Sequence, residues 1–256
     1  MSGHIELVDL SVMFSQGEPI LDIPQFDLEP GKITVVAGPT GSGKSTLGHA
    51  MAGLLPYLGA HVTGTLHIGE KRLSLDDAGA WQGIRGRLIR WIPQEPVRAF
   101  TVSRPLLSQM LEGIDMDDQI TGKLDSMLEM ADLPRSEQLA TIHPYEMSGG
   151  MLQRAALVSA FLPDPMLVVA DEPTAHLDPL RSLEIARTVT RLVADASVAL
   201  LWITHDLRMA SALADRIVFL SEGRIVADGD PELLLDPARE DSLPIVRASA
   251  RMALPQ

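Results

Sequence analysis

The consecutive residues Gly38-Pro39-Thr40-Gly41-Ser42-Gly43-Lys44-Ser45-Thr46 satisfy the pattern G-x-x-x-x-G-K-[ST]. The run Lys32-Ile33-Thr34-Val35-Val36-Ala37 reads as a buried strand leading into Gly38, with a helix expected from near Lys44, the context this pattern requires. The glycines let successive backbone N–H groups curl around phosphate oxygens, and the helix start adds its partial positive charge. Lys44 supplies a mobile cation for terminal phosphates, and the Ser45 hydroxyl is a ligand for Mg²⁺.

A second set of residues is suited to acting on a bound phosphate. Asp171 and Glu172 follow the apolar run Met166-Leu167-Val168-Val169-Ala170, and the carboxyl end of a strand faces the phosphate site of a doubly wound sheet. Asp171 is expected to orient the shell of a metal and Glu172 to polarise an attacking water. His205 follows the next apolar run, Val198 to Ile203, where a phosphate contact is the expected role. Ser148, before Gly149 and Gly150, reads as a helix N-cap whose free N–H groups form another anion-binding end.

The elements that must position these groups are legible in outline. β-type runs open the chain, Ile5 to Phe14 and Ile20 to Leu28, around a turn at Gln16-Gly17-Glu18-Pro19. The runs ending at Ala170 and Ile203 are apolar throughout, as in strands of a parallel sheet covered on both faces. Between them Asp178 is the expected N-cap, Pro179 the first helical residue, and Ile185, Val189, Leu192 and Ala196 recur at helical spacing. Strand, helix and strand form one crossover unit. Residues 97–161, rich in Leu, Met and Ala, read as a mainly helical insertion. Residues 237–256 read as a short helix and a frayed tail.

Composition narrows the function classes. The 256 residues hold 21 Lys+Arg against 34 Asp+Glu, a formal charge of −13, with 46% hydrophobic residues and no cysteine. Disulfides, Cys-ligated zinc, Cys-ligated iron–sulfur clusters and thiol nucleophiles are excluded. The acidic balance disfavours nucleic acid and anionic lipid, both of which rely on clustered Lys and Arg. No secretory signal is visible at the start, and no apolar run approaches the ~18–20 residues needed to span a bilayer. The expectation is a cytoplasmic protein that meets a membrane only through a partner. The charge does not forbid phosphate binding, because remote charges are screened beyond about 8–10 Å.

Taken together, the motifs resemble the ATP-binding subunits of ABC transporters over essentially the whole chain. In that comparison Phe14 corresponds to the aromatic that stacks on adenine. Gln94, in Trp91-Ile92-Pro93-Gln94-Glu95-Pro96, corresponds to the glutamine loop that touches Mg²⁺ and water and links to the permease. Ser148-Gly149-Gly150-Met151-Leu152-Gln153-Arg154 is similar to the signature motif, Leu167 to Glu172 to the Walker B strand with its catalytic glutamate, Ala175-His176-Leu177-Asp178 to the D-loop, and His205 to the switch histidine. Two residues depart from the pattern: Met151 replaces the usual glutamine, and His176 stands where small or polar residues are commoner.

The resemblance implies an α/β P-loop ATPase core with a mainly parallel sheet, an N-terminal antiparallel β portion and an inserted helical subdomain. It divides one domain, 1–256, into a core of 1–96 and 162–236, a helical part of 97–161 with the signature, and a tail of 237–256. ATP and Mg²⁺ are the implied cofactors. Glu172, His205 and Gln94 are implied as catalytic. Phe14, the P-loop from Gly38 to Thr46, Ser148, Gly149, Gly150 and Asp178 are implied to hold nucleotide, and Ser45, Gln94 and, through water, Asp171 to hold the metal.

The signature implies a second ATPase subunit, a different chain or a second copy, so that two ATP molecules lie between two domains. Two transmembrane permease subunits and, indirectly, a substrate-binding protein complete the expected partners, with the chain on the cytoplasmic face of the membrane. The stretch from His143 to Arg154, with Ala99-Phe100 after Gln94, is similar to the nickel and peptide importer branch. The short tail and missing cysteines favour nickel or a chelated metal over oligopeptides. The seven His residues include no close pair at ligand spacing, so no cargo-metal site is expected here. A soluble ATPase of iron–sulfur cluster assembly is the alternative of another class. A guanine-nucleotide switch or small-molecule kinase fits less well, since no N-K-x-D motif is present.

Overall fold

The computed structural model describes residues 4–14, 18–95, 99–114, 116–175, 177–236 and 243. In chain order the strands and helices are β1 (Ile5–Met13), β2 (Leu21–Leu28), β3 (Ile33–Ala37), α1 (Lys44–Met51), β4 (His61–Ile68), β5 (Lys71–Ser74), β6 (Ile89–Ile92), α2 (Leu106–Met110), α3 (Asp118–Met130), α4 (Ser136–Leu139), α5 (Gly149–Phe161), β7 (Leu167–Asp171), α6 (Pro179–Ala196), β8 (Ala199–Ile203), α7 (Leu207–Leu213), β9 (Arg216–Ser221), β10 (Arg224–Gly229) and α8 (Pro231–Leu234).

Two sheets carry the fold. A four-stranded antiparallel sheet has the order β2-β1-β4-β5, and a six-stranded sheet has the order β10-β9-β3-β8-β7-β6. In the second, every pairing from β9 to β6 is parallel and only β10 runs antiparallel at its edge. The mainly parallel sheet and the antiparallel N-terminal portion are those expected. β3, β7 and β8 are buried at every residue, which explains their predominantly apolar sequence: alternate side chains enter different cores.

One core unites Val35, Ala37, Val168, Ala170, Leu200 and Trp202 with side chains from α2, α3, α5 and α6. The other unites Val36, Leu167, Val169, Leu201 and Ile203 with α1 and the antiparallel sheet. The six-stranded sheet is thus a middle layer. Arg216 ties the layers at one edge, its Nη2 donating to Asp228 Oδ2 at 2.6 Å and its Nη1 to Asp27 Oδ2 at 3.2 Å.

The capping residues act as their chemistry predicts. Asp178 accepts from the N–H groups of Leu180 and Arg181 at 3.1 Å each, and α6 begins at Pro179. Ser148 caps α5 by accepting from Met151 N–H at 3.2 Å. Four helices, α2 to α5, lie within 106–161. The β4–β5 and β9–β10 hairpins and the edge strand β6 are additions to the elements the apolar runs announced. Parts of the expected turn at 16–19, the residues Pro96 and Val97, His176, and all of the 237–256 tail except Leu243 lie outside the described residues. Leu243 is buried, and its N–H donates to Leu234 O at 2.9 Å.

Candidate nucleotide site

The parallel pairing brings the carboxyl ends of β3, β8, β7 and β6 to one edge. Val36 and Asp171 are both in register with Ile203, and Ala170 with Ile92. The residues that follow three of these strands are therefore gathered at that edge: Gly38 after β3, Thr204 and His205 after β8, Glu172 after β7. Topology gathers groups from distant parts of the chain.

After β3 the backbone turns tightly. Gly38 has φ 155°, and a Cβ there would come within 2.1 Å of Leu220 O, so no other residue fits. Gly41, at φ 82°, has open space around it, which leaves room for a ligand beside the loop. Among the described residues, the N–H groups of Gly41, Gly43, Lys44 and Ser45 find no acceptor. They form a set of unmatched donors at the start of α1, and the buried Ser42 Oγ is likewise unpartnered. Donors in this state fit an anion with several oxygens.

Lys44 is buried and its Nζ donates to Gly38 O at 2.9 Å and Pro39 O at 2.8 Å. Burial holds its pKa below the usual lysine value, against the pull of Glu172 and Asp171. It rests on neutral carbonyls, and a phosphate would add the attraction between full opposite charges that a carbonyl dipole lacks. Ser45 Oγ donates to Asp171 Oδ1 at 3.1 Å. Burial raises the Asp171 pKa, partly offset by the Ser45 bond. A buried carboxylate beside a hydroxyl is an all-oxygen donor set of the kind a hard divalent cation takes.

Glu172 has φ 44°, the left-handed region that residues with a Cβ rarely adopt, held by its N–H donating to Ile203 O at 2.9 Å. This turn presents its carboxylate to His205, whose Nδ1 lies 3.0 Å from Glu172 Oε1. Because a carboxylate only accepts, the ring proton sits on Nδ1. His205 is exposed, Glu172 half-buried, so one face of the pair is open to solvent. Thr204 and Asp206 fix the strand end, Asp206 N–H donating to Thr204 Oγ1 at 3.0 Å.

Other expected site residues lie apart from this cluster. Phe14 is exposed at the end of β1, and Gln94 is exposed beyond β6. Ser148 and Gly149 are exposed, a Cβ on Gly149 or Gly150 would meet nothing within 4 Å, and among the described residues no hydrogen bond joins them to the P-loop. Thr46 is half-buried in the first turn of α1.

One contributor escaped the motif reading, and another was quoted within the signature stretch without a role of its own. His49, four residues after Ser45 on the same helix face, stacks on Trp91 with centroids 4.9 Å apart, and burial lowers its pKa against the pull of Asp171. The i, i+4 spacing was the available signal. Gln153, buried on α5, donates through Nε2 to Pro173 O at 2.7 Å, linking the signature helix to the residue after Glu172. Its marks were its place in the signature stretch and its polarity in an otherwise apolar helix.

These features define a nucleotide triphosphate-binding α/β cassette. The ABC transporter family matches residues 21–175, more than half of the chain, and the chain belongs to that family. It is 34% identical over 241 residues to the peptidoglycan transport ATP-binding protein YejF of Agrobacterium fabrum, covering 90% of this chain and 44% of that protein. It is 33% identical over 242 residues to the oligopeptide transport ATP-binding protein OppD of Mycobacterium tuberculosis, covering 88% of this chain and 38% of that protein. The chain thus spans less than half the length of both relatives. With the nickel import ATP-binding protein NikD of Brucella abortus it shares 31% identity over 229 residues, 86% of this chain and 83% of that protein. The fold is that of cbiO1 from Clostridium perfringens, with a TM-score of 0.76 at 22% identity over 91% of this chain and 90% of that one. It is also that of MJ0796, a dimeric bacterial ABC transporter cassette, with a TM-score of 0.70 at 23% identity over 89% and 98%.

Proposed function

We propose that the chain is the ATP-hydrolysing subunit of an importer, one domain in which residues 1–96 and 162–236 form the ATPase core, 97–161 a helical arm and 237–256 a tail. The observation that carries this is the convergence of the unmatched P-loop donors, the Ser45–Asp171 pair and the Glu172–His205 pair on one sheet edge, in a member of the ABC transporter family.

ATP phosphates occupy the loop from Gly38 to Thr46, with Lys44 leaving its two carbonyls for the terminal phosphates. Phe14 stacks on the base. Ser45, Gln94 and, through water, Asp171 would hold Mg²⁺, which would supply neutralisation of phosphate charge. Water attacks the γ-phosphorus. As the new O–P bond forms, its proton passes to Glu172, the bond to ADP breaks, and the electron pair leaves on the ADP oxygen. His205 holds the Glu172 carboxylate and faces the departing phosphate. Asp178 anchors the D-loop end of the site.

Ser148, Gly149 and Gly150 present an exposed helix start with open space before it, and in this reading the site is completed across a pair of ATPase subunits, a second copy or, as the nickel and peptide branch suggests, a different chain. The pair works with two transmembrane subunits and, indirectly, a substrate-binding protein, at the cytoplasmic face of the membrane. Nickel or a chelated metal is the proposed cargo, supported by the His143 to Arg154 stretch and the nickel-import relative. Oligopeptide is the second reading, favoured by the oligopeptide relatives.

Phosphate release from Mg-ATP by the chain and its partners tests the reading. Glu172→Gln is expected to retain ATP while release stops; unchanged release would remove Glu172 from the role of base.

A further inference from the structure

At the edge of the six-stranded sheet opposite the nucleotide site, Pro30 lies before β3, Met166 before β7 and Ser197 before β8. With the β4–β5 turn these residues surround a cavity of about 930 Å³. β3, β7 and β8 are each five residues long, so a strand length of roughly 16 Å separates the cavity from the P-loop, Asp171 and His205. No residue of the nucleotide site borders it.

The floor is apolar. Ile68 and Pro165 are buried, and Leu88 and Met166 are half-buried. Gly69 packs closely on Met166, since a Cβ there would come within 3.1 Å of Met166 Cε. A thioether in such a floor adapts to the shape of an apolar guest.

The rim carries both signs of charge. Glu70 and Lys71, neighbours in the β4–β5 hairpin, are exposed, and among the described residues neither makes an ion pair or a side-chain hydrogen bond. Asp164, also on the rim, is engaged by Lys123, which donates to Leu162 O at 3.2 Å as well. The end of α6 adds acceptors. Ala196 lines the cavity, and among the described residues the carbonyls of Ala194, Asp195 and Ala196 find no donor. A helix C-terminus of this kind holds partial negative charge.

These groups sort by chemistry. Lys71 is a point charge suited to a carboxylate, whereas Glu70 and the α6 carbonyls suit an ammonium, which brings three donors and no acceptor. A phosphate would answer Lys71 alone and would face Glu70 and the negative helix end. A plain fatty acid or alkylamine would leave one of the two unpaired rim charges without a partner. A molecule with an ammonium and a carboxylate joined by an apolar body answers rim and floor together. The volume lies near the top of the range of about 300–1,000 Å³ for small-molecule sites, more than a single amino acid fills.

We propose that this cavity binds a short apolar peptide with free termini. Its ammonium lies on Glu70 and the α6 end, its carboxylate on Lys71, and its side chains on Ile68, Leu88, Pro165 and Met166. The proposal is independent of the importer reading, because the cavity lies away from the nucleotide and assigns no cargo.

The test titrates leucyl-leucine into the full chain by calorimetry, with N-acetyl-leucyl-leucine, leucyl-leucine amide and glycyl-glycine as comparisons. One leucyl-leucine per chain is expected. Each blocked form should bind about fivefold more weakly, the scale of one exposed ion pair, and glycyl-glycine at least about tenfold more weakly, for want of apolar burial. Lys71→Gln should weaken leucyl-leucine but not its amide, and Glu70→Gln should weaken leucyl-leucine but not its N-acetyl form, with ATP hydrolysis unchanged in both variants. Saturating Mg-ATP should leave peptide affinity within about twofold, since the two sites share no residue. Equal binding of the three leucine peptides would reduce the site to an apolar groove and overturn the proposal. Unchanged affinity in both variants, displacement of the peptide by ATP, or no heat of binding at about 10 mM peptide would overturn it too.

Discussion

The P-loop edge and the start of α5 are both helix N-termini beside glycines, yet they are built in opposite ways. At the P-loop, Lys44 is buried, Gly38 is wedged against Leu220 O, and Asp171 accepts from Ser45 across the sheet. At α5, Ser148 and Gly149 are exposed, and space around Gly149 and Gly150 is open. One anion-binding end is assembled by the chain's own core. The other is presented outward. On the proposed reading, this contrast has the nucleotide held by one chain and acted on by two.

The largest effect should fall where the two ends meet in chemistry. Glu172→Gln is expected to lower phosphate release by about 10²–10⁴-fold while ATP binding persists, read by steady-state release and by nucleotide retention on gel filtration. Next, Lys44→Ala and Ser148→Glu should separate the two ends. The first removes charge-assisted bonds of about 1.5–3 kcal/mol and should weaken ATP binding by roughly 10–100-fold in calorimetry. The second should leave that binding within about twofold yet abolish turnover; weakened binding in Ser148→Glu would break the contrast.

A smaller effect tests the strut between the ends. Gln153→Met keeps the packing volume of α5 but deletes the donor to Pro173 O. A buried carbonyl left unmatched costs about 1–3 kcal/mol, so Tm should drop by several degrees. If the strut also holds Glu172 in its left-handed turn, kcat should fall with KM for ATP unchanged. The smallest change is remote from both ends: Asp117→Ala removes the cap that accepts from Ile120 N–H at 2.8 Å, costing about 1 kcal/mol in thermal melts with hydrolysis unaffected at low temperature.

Elements buried on two faces were the easiest to read. β3, β7 and β8 are short and almost wholly apolar, with Thr34 and the terminal Asp171 the exceptions, and their chemistry sits where the run stops. The caps Ser148 and Asp178 were equally readable, because their side chains compete for backbone N–H groups only at helix starts. β4, β5 and β10 were not, since their faces mix buried and exposed residues: β10 alternates exposed and half-buried positions, and His61-Val62-Thr63-Gly64 offers no apolar run. At the site, the order of Lys44, Asp171, Glu172 and His205 was legible, but their contacts depend on strand order, which places β8 between β3 and β7. The Glu172–His205 bond, the His49–Trp91 stack and the Gln153 strut are consequences of packing, and no spacing rule reports them.

The central claim is that one chain holds ATP and two ATPase subunits hydrolyse it. The direct measurement is the specific rate of phosphate release as protein is diluted, with sedimentation velocity on the same samples, for the chain alone and with a co-purified partner ATPase. The rate per chain is predicted to track the fraction of paired subunits and to vanish as that fraction vanishes. A sedimenting monomer that turns over ATP at full rate would contradict it.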